Sequence, residues 1–410
     1  MLIPKPSLLP CYTPSIGKTS RQLRYIFLIL LVSILLWNLL RKQSHDGSIR
    51  VLEGSVKAPV ISLASSATRL RSNELAITLR SLLHQSIKPS EIRVYVANED
   101  RDAFQWHGSH HSSRLSRYLN DERIQIHFVQ HTGPSKKFMY AIKDMLEQGR
   151  LDQPLIIVDD DHSYSPDLVA TLVSCAEQEA FKNSAIGLRG WRVRSSLHWG
   201  VPPEEMDEHV AEGWRLAEPF QVGVLTGNEG YLIRPRFFVE DQISASQAQV
   251  GQEKRTQGDW SPSAPVLNLT KLEESAAHLV DDIWLSGHLC QNGITRYVVP
   301  LTPPSSLSWS SVLLANDAIP SIDVTKAHAL EGRIQREGHT RTTANWVALH
   351  LFERAWRKQG LFYVSKAKRK DMTRKESEGL VPRYITGIRL MRRQVLKLFH
   401  HAQIRAIFGQ

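Results

Sequence analysis

The feature that most constrains this chain is an alternation between Ala58 and Glu179. Short apolar runs of strand length are separated by stretches with helical spacing. "PVISLAS", "EIRVYVA", "IQIHFVQ" and "PLIIVD" read as four strands. Between the first two, "NELAITLRSLLHQSI" repeats apolar residues at Leu75, Leu79, Leu82 and Leu83, one face of a helix capped by Asn73. "SKKFMYAIKDML" puts Phe138, Ile142 and Met145 on one side of a second helix, and a third is expected from about Pro166 to Glu179. Strand–helix alternation builds a parallel sheet with helices on both faces. The sequence therefore predicts an α/β fold, a mostly parallel Rossmann-like sheet flanked by helices. Ligands in such sheets sit beyond the carboxyl ends of the strands.

At one such end lies "LIIVDDDHSYSP", where an apolar strand runs into Asp159, Asp160 and Asp161. Three adjacent carboxylates repel one another beside a core. A hard divalent cation, Mn²⁺ or Mg²⁺, offsets that repulsion, because it takes one or two carboxylates and completes its shell with phosphate and water. If the strand persists, Asp159 and Asp161 share a side and Asp160 points away. The competing interpretation is a solvated acidic turn. A second acidic pair, Asp281–Asp282, opens a helix in "HLVDDIWLSGHLCQNG", whose apolar spacing runs through Val280, Ile283, Gly287 and Cys290 and stops at Gly293. A carboxylate there is favoured as the anion and can accept a proton from an attacking hydroxyl, or can simply cap the helix.

The second half of the alternating region is less regular. "AIGLRGWRV", "FQVGVLTG", "GYLIRP" and "ITRYVVPL" read as strands, and residues 240–268, rich in Gln, Ser and Pro, as an inserted surface loop. Domain bounds follow: a tail over 1–24, an apolar anchor over 25–40, a stem over 41–57, the main domain over 58–301 and a helical extension over 302–410.

The anchor is "YIFLILLVSILLWNLL" (Tyr25–Leu40), sixteen residues without charge, flanked by basic residues on both sides. The flanking charge favours a cytoplasmic N-terminus, and the absence of a cleavage pattern favours an uncleaved signal anchor. The expectation is a single-pass type II protein of the Golgi or endoplasmic reticulum membrane, with its main domain lumenal. On that topology "NLT" (Asn268–Thr270) is an N-glycosylation triplet. Net charge is +10 over 410 residues, yet Leu361–Gln410 alone holds 12 Lys/Arg against 3 Asp/Glu. The rest is nearly neutral, which argues against nucleic acid as a partner and for a basic tail. In that tail Ile388, Met391, Val395, Leu398 and Ala402 form an apolar stripe suited to an anionic membrane surface or another helix, or the helix is simply solvated. Cys175 and Cys290 read as two free, buried thiols, with one disulfide as the alternative.

Taken in order, "VISLASSATR", "LRSLLHQSIKPSEIRVYV", "GPSKK", "LIIVDDDHSYSPDLV", "LTGNEGYLIRP" and "VDDIWLSGHL" resemble a GT-A fold glycosyltransferase, most closely a membrane-anchored version of glycosyltransferase family 2. The resemblance covers about Pro59 to Leu301. It implies transfer of a sugar from a nucleotide-diphosphate sugar to an acceptor hydroxyl on a glycan, glycoprotein or glycolipid, with inversion and with Mn²⁺ or Mg²⁺. It places Asp159 and Asp161 on the metal and Asp160 near the ribose or nucleotide. Thr68 and Arg69 fall where base or ribose is contacted, and Lys136 and Lys137 where diphosphate or base is met. Asn98 replaces the usual aspartate that pairs with the base. Asp282 matches the catalytic base, with Asp281 as rival. Glu229, in "GNEGY", would bind acceptor hydroxyls or serve as base instead. Trp191 and Trp284 would stack on sugar or pack in the core, and His339 is a candidate late metal ligand. Two other classes remain open: a metal-dependent hydrolase or phosphotransferase using the same aspartates, and a sugar-binding protein with a decayed catalytic domain.

Overall fold

The computed structural model describes residues 57–71, 74–102, 113–198, 205–239, 265–268, 279–301, 321–323, 340–377 and 379–408. All belong to one compact unit, Gly54–Gln410. Eight strands form its principal sheet: β1 (Val60–Ser65), β2 (Glu91–Ala97), β3 (Ile124–Val129), β4 (Leu155–Ile157), β5 (Ser184–Gly187), β6 (Phe220–Gln221), β7 (Tyr231–Ile233) and β8 (Thr295–Val298). Their order across the sheet is β6-β8-β5-β7-β4-β1-β2-β3. β1 to β4 are parallel neighbours, and β8 runs parallel to β5. β7 is antiparallel to β4 and β5, and β6 to β8. The fold is thus α/β with a mixed, mostly parallel sheet, as the alternation predicts.

Side chains on successive strand residues enter opposite layers. Ile156 joins the apolar cluster on one face with Ile61, Leu63 and Leu172. Ile157 joins the other, with Phe138, Ile142, Met145 and Ile283. The first layer is covered by α1 (Glu74–Leu83), which buries Leu75, Leu79, Leu82 and Leu83 as its spacing predicts, and by α3 (Leu168–Ala176). The second is covered by α2 (Lys136–Glu147) and α4 (Asp281–Gln291). Each fully buried Leu, Ile or Phe contributes about 1.5–3 kcal/mol relative to exposure.

Several details differ from expectation: "AIGLRGWRV" and "FQVGVLTG" each break into short strands of separate sheets, with Arg189–Trp191 and Val224–Leu225 leaving the principal sheet. The helix expected from Pro166 begins at Leu168, because the Pro166 carbonyl accepts a bond from the Ser86 N–H and the chain is still turning there. The last strand is shorter than "ITRYVVPL" and ends at Val298. Cys175 is half-buried rather than buried; both thiols are free. Gly293 does stop α4, with φ +73, a left-handed position that suits glycine.

The described residues beyond Leu301 join the same unit. α5 (Arg341–Leu351) and α6 (Glu353–Gln359) pack on α4, where Gly287 lets the Phe352 ring approach the helix backbone. A basic helix, α7 (Ile388–Phe408), closes the chain. The predicted anchor 25–40, nearly all of the stem, Asn73, His339, Thr270 and all but 265–268 of the inserted loop lie outside the described residues. No helix among the described residues is long and apolar enough to cross a membrane.

Candidate active site

The site forms where β1 and β4 end. β4 stops at Ile157, and the Val158 N–H still donates to the Ser62 carbonyl at 3.0 Å. The alternation persists through Val158, which packs with Ile156 while Ile157 enters the other layer, and it fails only at Asp161. Asp159 turns to Lys137 Nζ, at 2.6 Å. Asp160 and Asp161 both turn to Arg69, at 3.5 and 2.8 Å. The triplet is split between Asp159 and its two followers, not between Asp160 and its two neighbours. Asp160 also accepts from Ser65 Oγ at 2.7 Å, and Asp161 meets His162 Nδ1 at 2.7 Å. Burial pushes the Asp160 carboxyl up to about 7; Arg69 opposes that and Asp161 adds to it. Burial would lower the Arg69 guanidinium, but Asp160 and Asp161 outweigh it and hold Arg69 above its ordinary value.

Lys137 stands in the first turn of α2, only 3% exposed. Its ammonium also lies 2.7 Å from Asp281 and 3.8 Å from Asp282. Burial disfavours that charge, yet the three carboxylates win and keep Lys137 well above its ordinary range. Asp281 is buried and Asp282 half-buried at the start of α4. The Gly227 N–H faces both Asp282 oxygens at 3.3 Å. Burial pushes Asp282 up to about 8; Lys137 pulls it down and Asp281 adds to the rise. Asp159 is lowered: burial raises it, but the contact with Lys137 prevails.

The "GNEGY" turn closes over this pair. Gly227 keeps the space beside the pair open, since a Cβ there would meet Asp159 Oδ1 at 2.8 Å and Lys137 Nζ at 3.0 Å, both side-chain ends. Tyr164 Oη accepts from the Asp159 N–H at 2.7 Å and lies 2.9 Å from the Gly227 carbonyl, tying the two loops together. Glu229 is buried, and burial pushes its carboxyl up to about 7. The Tyr231 hydroxyl is buried without a hydrogen-bond partner among the described residues. Burial and the nearby Asp282 hold that phenol well above its ordinary value.

The remaining candidates are distributed more widely. Thr68 is exposed on the short helix Ala67–Arg71 that follows β1. Asn98 is exposed after β2, and its side chain lies 3.4 Å from Arg101 Nη2. Asp100, which sequence reasoning passed over, is the carboxylate that reaches the β1 loop, accepting from the Ala67 N–H at 3.2 Å. Lys136 is buried and donates to the Gly133 carbonyl at 3.2 Å. Trp191 and Trp284 are core residues; Trp284 Nε1 donates to the Val266 carbonyl. Ser65, Tyr164 and Tyr231 were also missed. Ser65 ends β1, Tyr164 follows the acidic run and Tyr231 opens β7 at the end of the "GNEGY" turn, and no local pattern singles out their hydroxyls.

Among the described residues, no three His, Cys, Asp or Glu side chains form a ready cage for a metal ion. The donor set nevertheless suits a hard divalent cation, which needs few protein ligands and prefers carboxylate oxygen. Asp159, Asp160, Asp161, Asp281 and Asp282 all pair with Arg69 or Lys137, and Glu74 also pairs with Arg69, so six carboxylates share two permanent cations. That leaves room for positive charge, and the partnerless Tyr231 hydroxyl leaves room for a polar neighbour.

No protein-family profile matches the chain, and no curated protein matches it. Among solved structures it is similar to 4-diphosphocytidyl-2C-methyl-D-erythritol synthase from Anaerococcus prevotii, at 12% identity over 49% of this chain and 80% of that chain, TM-score 0.29. It is also similar to 2-C-methyl-D-erythritol 4-phosphate cytidylyltransferase from Francisella tularensis, at 15% identity over 47% and 78%, TM-score 0.28. A UDP-glucose pyrophosphorylase complexed with UDP-glucose matches at 8% identity over 45% and 78%, TM-score 0.28. Likeness at this level carries no chemistry, which rests on the side chains described above.

Proposed function

We propose that this chain is a metal-dependent glycosyltransferase that moves a sugar from a nucleotide-diphosphate donor to an acceptor hydroxyl, with inversion. The observation that carries the proposal is the meeting of two acidic clusters, Asp159–Asp161 and Asp281–Asp282, at the carboxyl ends of parallel strands around one buried lysine. Asp159 and Asp161 are assigned to Mn²⁺ or Mg²⁺. When bound, the ion neutralises charge developing on the leaving diphosphate.

The chain's own groups do the rest. Arg69 holds Asp160 and Asp161 in place, and Asp160, bonded to Ser65, faces the nucleotide side. Asp282 is the general base: it is half-buried, at the mouth of the cluster, and oriented by the Gly227 N–H. Asp281 is covered and held by Lys137, which makes it a positioning residue for that lysine. Glu229, on the turn that covers the cluster, is assigned to an acceptor hydroxyl. Membrane anchorage through Tyr25–Leu40, with the main domain in the Golgi or endoplasmic reticulum lumen, belongs to the same proposal.

A panel of nucleotide sugars with Mn²⁺, read as nucleoside-diphosphate release with and without acceptors, tests it. The expected result is release from one donor class, abolished by EDTA and by Asp159→Ala/Asp161→Ala. Undiminished activity in that double variant sinks the metal assignment. Release without sugar transfer to any hydroxyl but water points to a hydrolase, and binding without turnover to a decayed enzyme.

A further inference from the structure

Among the described residues, α7 is fastened to the unit by one side. Arg393 is fully buried and donates to the carbonyls of Trp214 and Leu301. Lys397 Nζ lies 4.8 Å above the Trp214 ring, His400 Nε2 is 3.0 Å from Ser163 Oγ, and Ile404 is buried. The spacing of 393, 397, 400 and 404 is that of one helical face. On the other side stand Met391, Val395, Leu398 and Phe399, exposed to 58, 43, 70 and 41%. Together with Ala402 they fall within an arc about 100° wide, the width of an amphipathic stripe. Single exposed apolar residues are ordinary; a row along one helix marks a binding face.

Charge selects the occupant. α7 has no Asp or Glu; of its cations Arg393 and Lys397 belong to the inward face, whereas the exposed Arg405 falls by spacing at the edge of the apolar stripe. A second copy of α7 would bring no carboxylate to meet that edge. The inward face is already committed to Trp214, Leu301 and Ser163, so the helix cannot roll its apolar stripe into its own core. We propose that this face docks on a lipid bilayer surface bearing anionic headgroups, with α7 lying in the interface plane and its 21 residues spanning about 31 Å. This docking is independent of the reaction assigned to the active site.

The test uses the full chain in nanodiscs of phosphatidylcholine, with and without phosphatidylserine, and in detergent. Amide hydrogen exchange over 388–408 is the readout. Exchange is expected to slow about tenfold in the phosphatidylserine discs relative to detergent. The slowing should weaken with salt. Leu398→Gln/Phe399→Gln should abolish it, and Arg405→Glu should weaken its dependence on phosphatidylserine. Equal exchange in detergent and both discs overturns the proposal. So does equal slowing in both disc types, which removes the headgroup requirement. Protection in detergent that grows with protein concentration also overturns it, and assigns the face to a second copy.

Discussion

Lys137→Met removes a charge and keeps an unbranched apolar stem. The ammonium it deletes lies 2.6, 2.7 and 3.8 Å from oxygens of Asp159, Asp281 and Asp282. At an effective dielectric near 20, a unit pair at about 2.7 Å attracts by about 6 kcal/mol. Burying the ammonium and its partners offsets much of that, at several kcal/mol per ion. Removing one member of a buried pair usually costs about 3–5 kcal/mol, because the survivor is stranded. Here three carboxylates are stranded beside one another, so the expected loss is toward the upper end, ~4–5 kcal/mol. Urea unfolding in EDTA reads it directly. Adding Mn²⁺ should restore part of the loss, since a divalent cation replaces the missing charge, and the variant should gain more than the native chain. A loss below ~1 kcal/mol, or an Mn²⁺ response no larger than that of the native chain, refutes Lys137 as the shared counter-ion.

Other perturbations test neighbouring parts of the account. Gly227→Ala inserts a Cβ 2.8 Å from Asp159 Oδ1, an atom that can move, so stability should change little. Calorimetry with Mn²⁺ and a nucleoside diphosphate should nonetheless show affinity falling about tenfold; unchanged affinity places ligand elsewhere. Gly287→Ala drives a Cβ to 2.2 Å from the Phe352 ring, and overpacking of about 1–3 kcal/mol or more should lower the unfolding temperature; an unchanged Tm contradicts the α4 packing. His209 packs against Trp191 and Tyr363, and burial, with Arg194 beside it, lowers its imidazole from 6.5 to about 4. Below pH 6.5 the unfolded chain takes up this proton before the folded one, so stability falls as pH drops from 6.5 toward 4. The shift corresponds to at most about 3.5 kcal/mol. His209→Phe should lose that slope, and an unaltered pH profile of unfolding excludes His209 as its source.

Local signals carried much of this fold. The apolar runs of β1, β2, β3 and β4 and the Leu75–Leu83 stripe are visible because each is a continuous pattern of one period. β6 and β7 were visible as strands, but their antiparallel setting was not. A short run such as Tyr231–Ile233 carries no mark of direction, which is decided by pairing with Ile157 and Gly187 far along the chain. The acidic clusters were legible as clusters, yet their partners were not. The alternation expected over Asp159–Asp161 holds through Val158 but fails at Asp161, which joins Asp160 on Arg69, a partner 92 residues away in the chain. A lysine in the first turn of a helix is ordinarily solvated. Lys137 is buried only because α2 and α4 cover the same face of the sheet and bring Asp281 to it, a contact across more than a hundred residues. Asp100 was passed over because three polar residues, Asn98, Glu99 and Asp100, share one tight turn, and only its backbone path decides which reaches Ala67.

The central claim is that Asp159 and Asp161 hold a divalent cation together with a nucleoside diphosphate. Electron paramagnetic resonance of Mn²⁺, titrated into the chain with and without nucleoside diphosphates, measures this without any knowledge of the acceptor. The account predicts that one nucleoside diphosphate tightens Mn²⁺ binding, and that Asp159→Ala/Asp161→Ala removes the coupling while the chain stays folded. Mn²⁺ binding that ignores every nucleotide, or that survives the double substitution unchanged, would contradict it.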